Sequence, residues 1–260
     1  MRYFVLALSF LYGALAHGHK PSFSNGQYKS VDSAWSIQNM ATSIVLYHDV
    51  TCESDQLWME FDSVGDEELF VQLGVPVIDR LAGYRPSVAI IADGLPQPDE
   101  TLPFDLPEGM GGLVYHSDPM DTPDDFYEPF SQTESWILLE TTQVIEQAGV
   151  GYVVAWVPGN TTGKLWVAVG TVEDFSDVSS TEFGSWLDLT QRYHETGPYS
   201  DTEIEEVSCS PLDNTPTAQA SSTGCQTTRA NPVDVILLVV GLSLPLIRCR
   251  NRRRHYRRSQ

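Results

Sequence analysis

The chain is short of basic residues, of cysteine and of every glycine-rich catalytic fingerprint, and each shortage excludes something. Lysine and arginine number 15 against 35 acidic residues. Seven of the 15 are arginines beyond position 247 and an eighth is Arg2, so residues 3–247 carry seven basic side chains against all 35 acids. A surface that acidic repels nucleic acid and anionic lipid headgroups, and it draws cations and basic partners. Four cysteines are present and none forms a CxxC pair, which removes zinc-ribbon and thioredoxin-like readings. There is no Gly-x-Ser-x-Gly elbow, because residues 183–187 read Phe-Gly-Ser-Trp-Leu without the closing glycine. No phosphate-cradling loop or dinucleotide glycine pattern occurs either.

Long apolar runs are confined to the two ends. Residues 1–16 hold Arg2, an apolar run from Tyr3 to Leu15 and the small-x-small exit Ala14-Leu15-Ala16, the pattern of a secretory signal peptide. Val235 to Ile247 is apolar and is followed at once by Arg248, Arg250, Arg252, Arg253 and Arg254. An apolar stop before a basic cluster predicts a single-pass type I membrane anchor with its C-terminus in the cytoplasm. Thirteen residues at about 1.5 Å each reach about 20 Å, short of a hydrocarbon core of about 30 Å. Val233 and Asp234 extend the run and the arginines can snorkel. A processed glycolipid anchor is the alternative, with secretion as another. The stretch from Ser208 to Asn231 is rich in serine and threonine and reads as a stalk.

The expected order is therefore a signal peptide (1–16), an acidic ectodomain (17–206, its globular part from about Pro21), a stalk (207–232), an anchor (233–247) and a basic tail (248–260). That places the body at the cell surface, tethered to the membrane. In an oxidising compartment Cys209 and Cys225 are expected to close a disulfide loop. Cys52, at the end of a predicted strand, reads as a buried thiol or a third partner. Cys249 would be cytoplasmic and is a candidate for palmitoylation. Asn160-Thr161-Thr162 is the usable glycosylation sequon, since proline occupies the third position of Asn214-Thr215-Pro216.

Within the body the dominant period is two. Predicted strands cover Ser43–His48, Gln56–Asp62, Glu68–Leu73, Ser87–Ile91, Trp136–Glu140, Tyr152–Trp156 and Lys164–Val169. Turn chemistry at Val64-Gly65-Asp66, Ala92-Asp93-Gly94 and Pro158-Gly159-Asn160 separates them, and the last of these predicts a hairpin. Many short strands without alternating helices imply an all-β antiparallel β-sandwich. One late helix is expected from Phe183 to His194, with Phe183, Trp186, Leu187 and Leu189 as its apolar stripe. Trp58, Trp136, Trp156 and Trp166 lie in strands and read as core rather than as sugar platforms.

The strand Leu57–Asp62, the turn Gly65-Asp66-Glu67-Glu68 and the strand Leu69–Leu73 together resemble the opening of bacterial pre-peptidase C-terminal domains. Thr141–Ile145 followed by Ala148-Gly149-Val150-Gly151-Tyr152-Val153-Val154 is similar to a later strand pair of that family. Gly163–Val169 resembles its closing strand. The resemblance spans about residues 43–170 and is broken by an acidic insertion between Asp93 and Glu134. It implies a jelly-roll-like accessory domain that is not itself a catalyst.

Two metal sites are expected from residue type alone. Asp118, Asp121, Asp124, Asp125 and Glu128 crowd a proline-broken stretch, and closely spaced carboxylates supply the oxygens that calcium takes; a solvated acidic loop is the other reading. Asp93, Asp99, Glu100 and Asp105 lie nearby. Cleavage after Ala16 would expose His17-Gly18-His19, where an amine, amides and imidazole suit copper. In these first residues the chain resembles secreted copper oxygenases that cut polysaccharides, with His48, His116 or His194 as the second histidine. The expected function is a non-catalytic binding or adhesion module with a basic protein or carbohydrate ligand; the alternative is a copper carrier or copper-dependent oxygenase.

Overall fold

Period-two alternation divides each central strand between two faces, and that division builds the fold. The computed structural model describes residues 18–118, 121–159, 161–200 and Cys209. The strands are β1 (Lys20–Phe23), β2 (Trp35–Ser36), β3 (Ile44–Val50), β4 (Gln56–Ser63), β5 (Glu67–Pro76) and β6 (Ser87–Ala92). They continue as β7 (Gly111–His116), β8 (Asp124–Glu128), β9 (Thr133–Ile145), β10 (Gly149–Trp156) and β11 (Gly163–Val169), and the helix is α1 (Ser180–Tyr193). A six-stranded sheet runs β1-β3-β11-β5-β9-β8 and a five-stranded sheet runs β2-β4-β10-β6-β7.

The core lies between the sheets. Leu46, Leu73 and Leu165 from the first meet Leu57, Met59 and Ile90 from the second, all fully buried. Each such side chain stabilises the fold by about 1.5–3 kcal/mol relative to exposure. Glycine sets the spacing at one point here: a Cβ on Gly151 would sit 2.2 Å from Phe61 Cζ. The result is a sandwich-like, mostly β architecture with one helix, as the period-two pattern predicts.

The outer faces are covered too. On the five-stranded sheet Trp58, Ile91, Tyr152, Val154 and Trp156 form a second apolar layer, and Leu102, Phe104, Leu106 and Met110 fold back over it. Phe104 stands edge-on to both Trp58 (5.1 Å) and Trp156 (5.3 Å). The first part of the acidic insertion is thus a cover, with its carboxylates turned to water. On the six-stranded sheet Val45, Tyr47, Trp166 and Ala168 form a third layer with Tyr193 of α1.

Four expectations change. The sheets are mixed, because β1 pairs parallel with β3 and β2 parallel with β4. Without those short N-terminal strands, β3 and β4 would each present an open edge, so the leading segment satisfies both. The hairpin expected across Pro158-Gly159 is an arch between sheets: β10 pairs with β4 and β6, and β11 with β3 and β5. Both strands are central and buried almost throughout, and each has its two neighbours in its own sheet. The stretch expected as an acidic loop ends in a strand, since Asp124–Glu128 pairs with Thr133–Ile137 as a hairpin. Finally, Cys209 bonds Cys52, across 157 residues, and not Cys225. The turn after β3 holds Cys52 exposed at the surface, within a Cα–Cα distance of 5.4 Å of Cys209, so position in the fold overrides nearness in sequence.

All described residues belong to one compact unit. The signal peptide, most of the stalk, the anchor, the tail, His17, Asn160 and Cys225 lie outside them. Among the described residues no helix is long and apolar enough to cross a membrane.

Candidate functional site

The helix that covers the six-stranded sheet starts and stops for legible reasons. Ser179 accepts from the Glu182 N–H while the Glu182 carboxylate accepts from the Ser179 N–H, a reciprocal capping box. At the far end Glu195 adopts the left-handed region at φ +54. There its N–H donates to the Arg192 carbonyl and the Thr196 N–H to the Gln191 carbonyl, the bond pair with which helices usually end on glycine. A glutamate there costs roughly 1 kcal/mol of backbone strain, and its side chain supplies the compensation.

That side chain is a bolt. The Glu195 carboxylate accepts two hydrogen bonds from Arg80, at 2.6 and 2.7 Å, and lies 2.8 Å from the Lys164 ammonium. Burial pushes the Glu195 carboxyl up, but the bonds from Arg80 and Lys164 outweigh it and hold it below the usual range. Lys164, itself buried, also donates to the Tyr193 carbonyl at 2.6 Å, and the Tyr193 hydroxyl donates to the Leu165 carbonyl at 2.6 Å. His194 completes the fastening. Its Nδ1–H donates to the Thr190 carbonyl at 2.9 Å, which leaves Nε2 to accept from the Ser135 hydroxyl at 3.0 Å. The C-terminal half of α1 is therefore tied to β9, β11 and the turn after β5.

The N-terminal half is not tied down in this way. Phe183 and Trp186 stand against one another (5.5 Å), and Phe183 also meets Phe130 (5.7 Å) and Phe175 (6.0 Å). These rings prop the helix off the sheet and leave a cavity of about 210 Å³ beneath it. Its floor is Val45, Tyr47, Gln72, Trp166 and Ala168 from β3, β5 and β11. One wall is Phe126 and Glu128 of β8 with Phe130, Ser131, Thr133 and Ser135. Gly18, His19, Pro21 and Phe175 close another. The floor is flat because Gly74 has no side chain: a Cβ there would fall 2.2 Å from Trp166 Cζ2 and 2.6 Å from the Trp136 carbonyl. The Trp166 indole N–H is buried without a hydrogen-bond partner, an unpaired donor of the kind that costs about 1–3 kcal/mol.

Polar character in the cavity is sparse and unevenly placed. Glu128 accepts one bond, from the Phe130 N–H at 3.0 Å, and among the described residues no lysine or arginine pairs with it. Burial raises its carboxyl above the ordinary value, the Phe130 bond opposes this, and the nearby charge of Glu173 adds to it. Burial, then the Glu128 charge, pushes the Tyr47 phenol well above its usual range. Burial lowers His194 to about 4, against the pull of its bond to Thr190, so its imidazole is neutral at physiological pH.

The predicted site residues are dispersed. Asp118, Asp121 and Asp124 face a shallow pocket beside Leu138 and Glu140. Asp125 is exposed and alternates in β8 with Asp124, while Glu128 faces the cavity under α1. Asp93, Asp99 and Asp105 are exposed. Among the described residues no group of three or more His, Cys, Asp or Glu side chains converges as metal ligands. His19 lines the cavity. Each histidine considered as a second copper ligand uses both ring nitrogens within the protein. His48 donates through Nε2 to the Ser54 carbonyl and accepts from Ser24; burial lowers it to about 4, although its bond to Ser54 pulls the other way. His116 bonds Ser87 at 2.7 Å and Glu100 at 2.8 Å. Trp58, Trp156 and Trp166 are buried and Trp136 half-buried.

Two serine–histidine contacts imitate hydrolytic machinery. In Ser87–His116–Glu100 the serine is 1% exposed, out of reach of a substrate carbonyl. In Ser135–His194 the base is held near pKa 4 and oriented by a backbone carbonyl. It is therefore a weak base with no carboxylate to stabilise its imidazolium. Sequence reasoning missed this cavity, because its lining comes from seven separate stretches; the one local signal near it is the Ser179-x-x-Glu182 box at the start of α1. No protein-family model matches the chain, and no curated protein does.

Proposed function

We propose that the chain is an exported, membrane-tethered, non-catalytic binding module whose ligand site is the cavity between α1 and the six-stranded sheet. The observation that carries this is the cavity itself. It is walled by aromatic rings, holds few polar groups, and is kept open by a helix fastened at one end only. Such sites are where proteins take small molecules. The Cys52–Cys209 bond supports export, since disulfides persist in oxidising compartments. The arches β4–β5, β9–β10 and β10–β11 support the jelly-roll-like form that the resemblance to pre-peptidase C-terminal domains implies. The membrane, reached through residues 233–247, and a cell-surface location belong to the same reading.

The test is a melting-temperature screen of the full-length protein against phenethyl amines, alcohols and acids, because a ligand that binds only the native state raises the midpoint. At least one class is expected to raise it, and Ala168→Leu, which fills the floor, is expected to abolish the rise. No rise with any class would overturn the reading.

A further inference from the structure

We infer that the ligand of this cavity is a small organic ammonium ion, held by the Glu128 carboxylate and by the π-faces of the surrounding rings. This rests on the reading of the cavity as a binding site, and it adds the charge of what enters.

The first ground is an uncompensated charge. Glu128 sits on β8 with its side chain turned to the cavity, and its one hydrogen bond comes from a neutral backbone N–H. Partly buried carboxylates are ordinarily paired, and among the described residues this one has no cationic partner. The second is a like charge nearby: Glu173, whose carboxylate accepts from the Gly18 N–H at 2.6 Å, lies close enough to act on Glu128. Glu128 lines the cavity, and the charge of Glu173, exposed outside the lining, adds to it, so the local potential disfavours an anion and favours a cation.

The third ground is the aromatic part of the lining. Tyr47, Phe130, Trp166, Phe183 and Trp186 present aromatic rings around the same space. Ring faces carry negative charge, so a cation among them gains what a neutral guest of equal shape does not. A carboxylate on one side with aromatic rings around the rest is the chemistry that selects ammonium over alcohol. His19 and His194 also line the space, and His194 is neutral at physiological pH, so it does not supply the missing cation. The excess of acid over base along residues 3–247 steers cations toward the molecule from a distance.

The experiment compares 2-phenylethylamine with 2-phenylethanol, its uncharged analogue of the same shape, by calorimetric titration of the full-length protein and of Glu128→Gln. Glutamine keeps the oxygen that accepts from Phe130, so the fold is retained, and an unchanged melting temperature checks it. The amine is expected to bind at least about tenfold more tightly than the alcohol, with Glu128→Gln abolishing that preference while the affinity for the alcohol stays put. Equal affinities in the natural protein would overturn the inference and leave the cavity standing as a ligand site. A preference for the amine that survives Glu128→Gln would also overturn it. Binding of neither probe would overturn the inference and remove the cavity from the binding reading as well.

Discussion

Two buried neutral histidines should make this fold lose stability in mild acid, well above the range where carboxylates titrate. His48 and His194 are 0% and 3% exposed, and burial lowers each from an ordinary 6.5 to about 4. The unfolded chain takes up a proton at each near pH 6.5, whereas the folded chain refuses it until about pH 4. The unfolded state therefore binds more protons in that window, and stability falls as pH falls. Each histidine contributes a slope that starts at about half of 1.4 kcal/mol per pH unit at pH 6.5 and approaches the full value below it, so from pH 6.5 to pH 5 the pair removes about 3 kcal/mol. That is a large share of the roughly 5–15 kcal/mol that a domain has. The raised carboxyls of Asp49 and Glu128 act in the opposite sense, because the folded state binds their protons first. They soften the fall only at the acid end. Urea unfolding followed by tryptophan fluorescence at half-unit steps from pH 7.5 to pH 5 reads the slope directly. His194→Gln should halve it. A stability constant to within about 1 kcal/mol across that range would refute the reasoning, as would an unchanged slope in the variant.

Cys52→Ser should destabilise the body by as much as about 5 kcal/mol on the loop-entropy scale for so long a loop, and Cys225→Ser should leave it unchanged; denaturant midpoints of the two variants decide which pairing holds. Gly74→Ala should cost about 1–3 kcal/mol by overpacking, because its Cβ meets both the Trp166 ring and a backbone carbonyl, and a thermal melt together with a shift in tryptophan emission reads both effects. A neutral outcome would mean that the indole is free to move off the sheet.

How much of this was legible in the sequence depends on the range of the contacts involved. All seven predicted strands are present, because alternation such as Leu165-Trp166-Val167-Ala168-Val169 is written locally and sorts side chains onto two faces whatever the strand's neighbours are. The helix was legible for the same reason, through its spaced apolar residues, although it starts at Ser180, three residues before the apolar stripe begins. Pairing was not. Nothing in the residues of β10 and β11 says that they join opposite sheets, since a buried strand reads alike in either. β1 and β2 are too short to show a period, and β8 was masked by carboxylates that belong to an edge strand and so tolerate water. The candidate site was the least legible part. Glu128 read as one of five equivalent acids; alternation in β8 puts Asp125 on the other face, and the place of Glu128 at the strand's end sets it against the cavity while Asp118, Asp121 and Asp124 face a different pocket.

The cavity exists because one helix meets its sheet by two kinds of contact. At its C-terminal end the bonds are polar, short and directional: Glu195 to Arg80 and Lys164, Tyr193 to Leu165, His194 to Ser135. Such bonds have a single geometry, and a left-handed glutamate is retained where glycine would relieve the backbone, because glycine would remove the carboxylate that two cations share. At its N-terminal end the contacts are ring against ring, which hold at centroid distances of 5.5–6.0 Å and tolerate sliding at little cost. A helix pinned at one end and propped on rings at the other can admit a guest beneath the propped end without breaking a hydrogen bond. It follows that Glu195→Gly, which removes strain and bolt together, should weaken binding in the cavity even though residue 195 does not line it. An unaltered affinity in that variant would show that the rings alone set the opening.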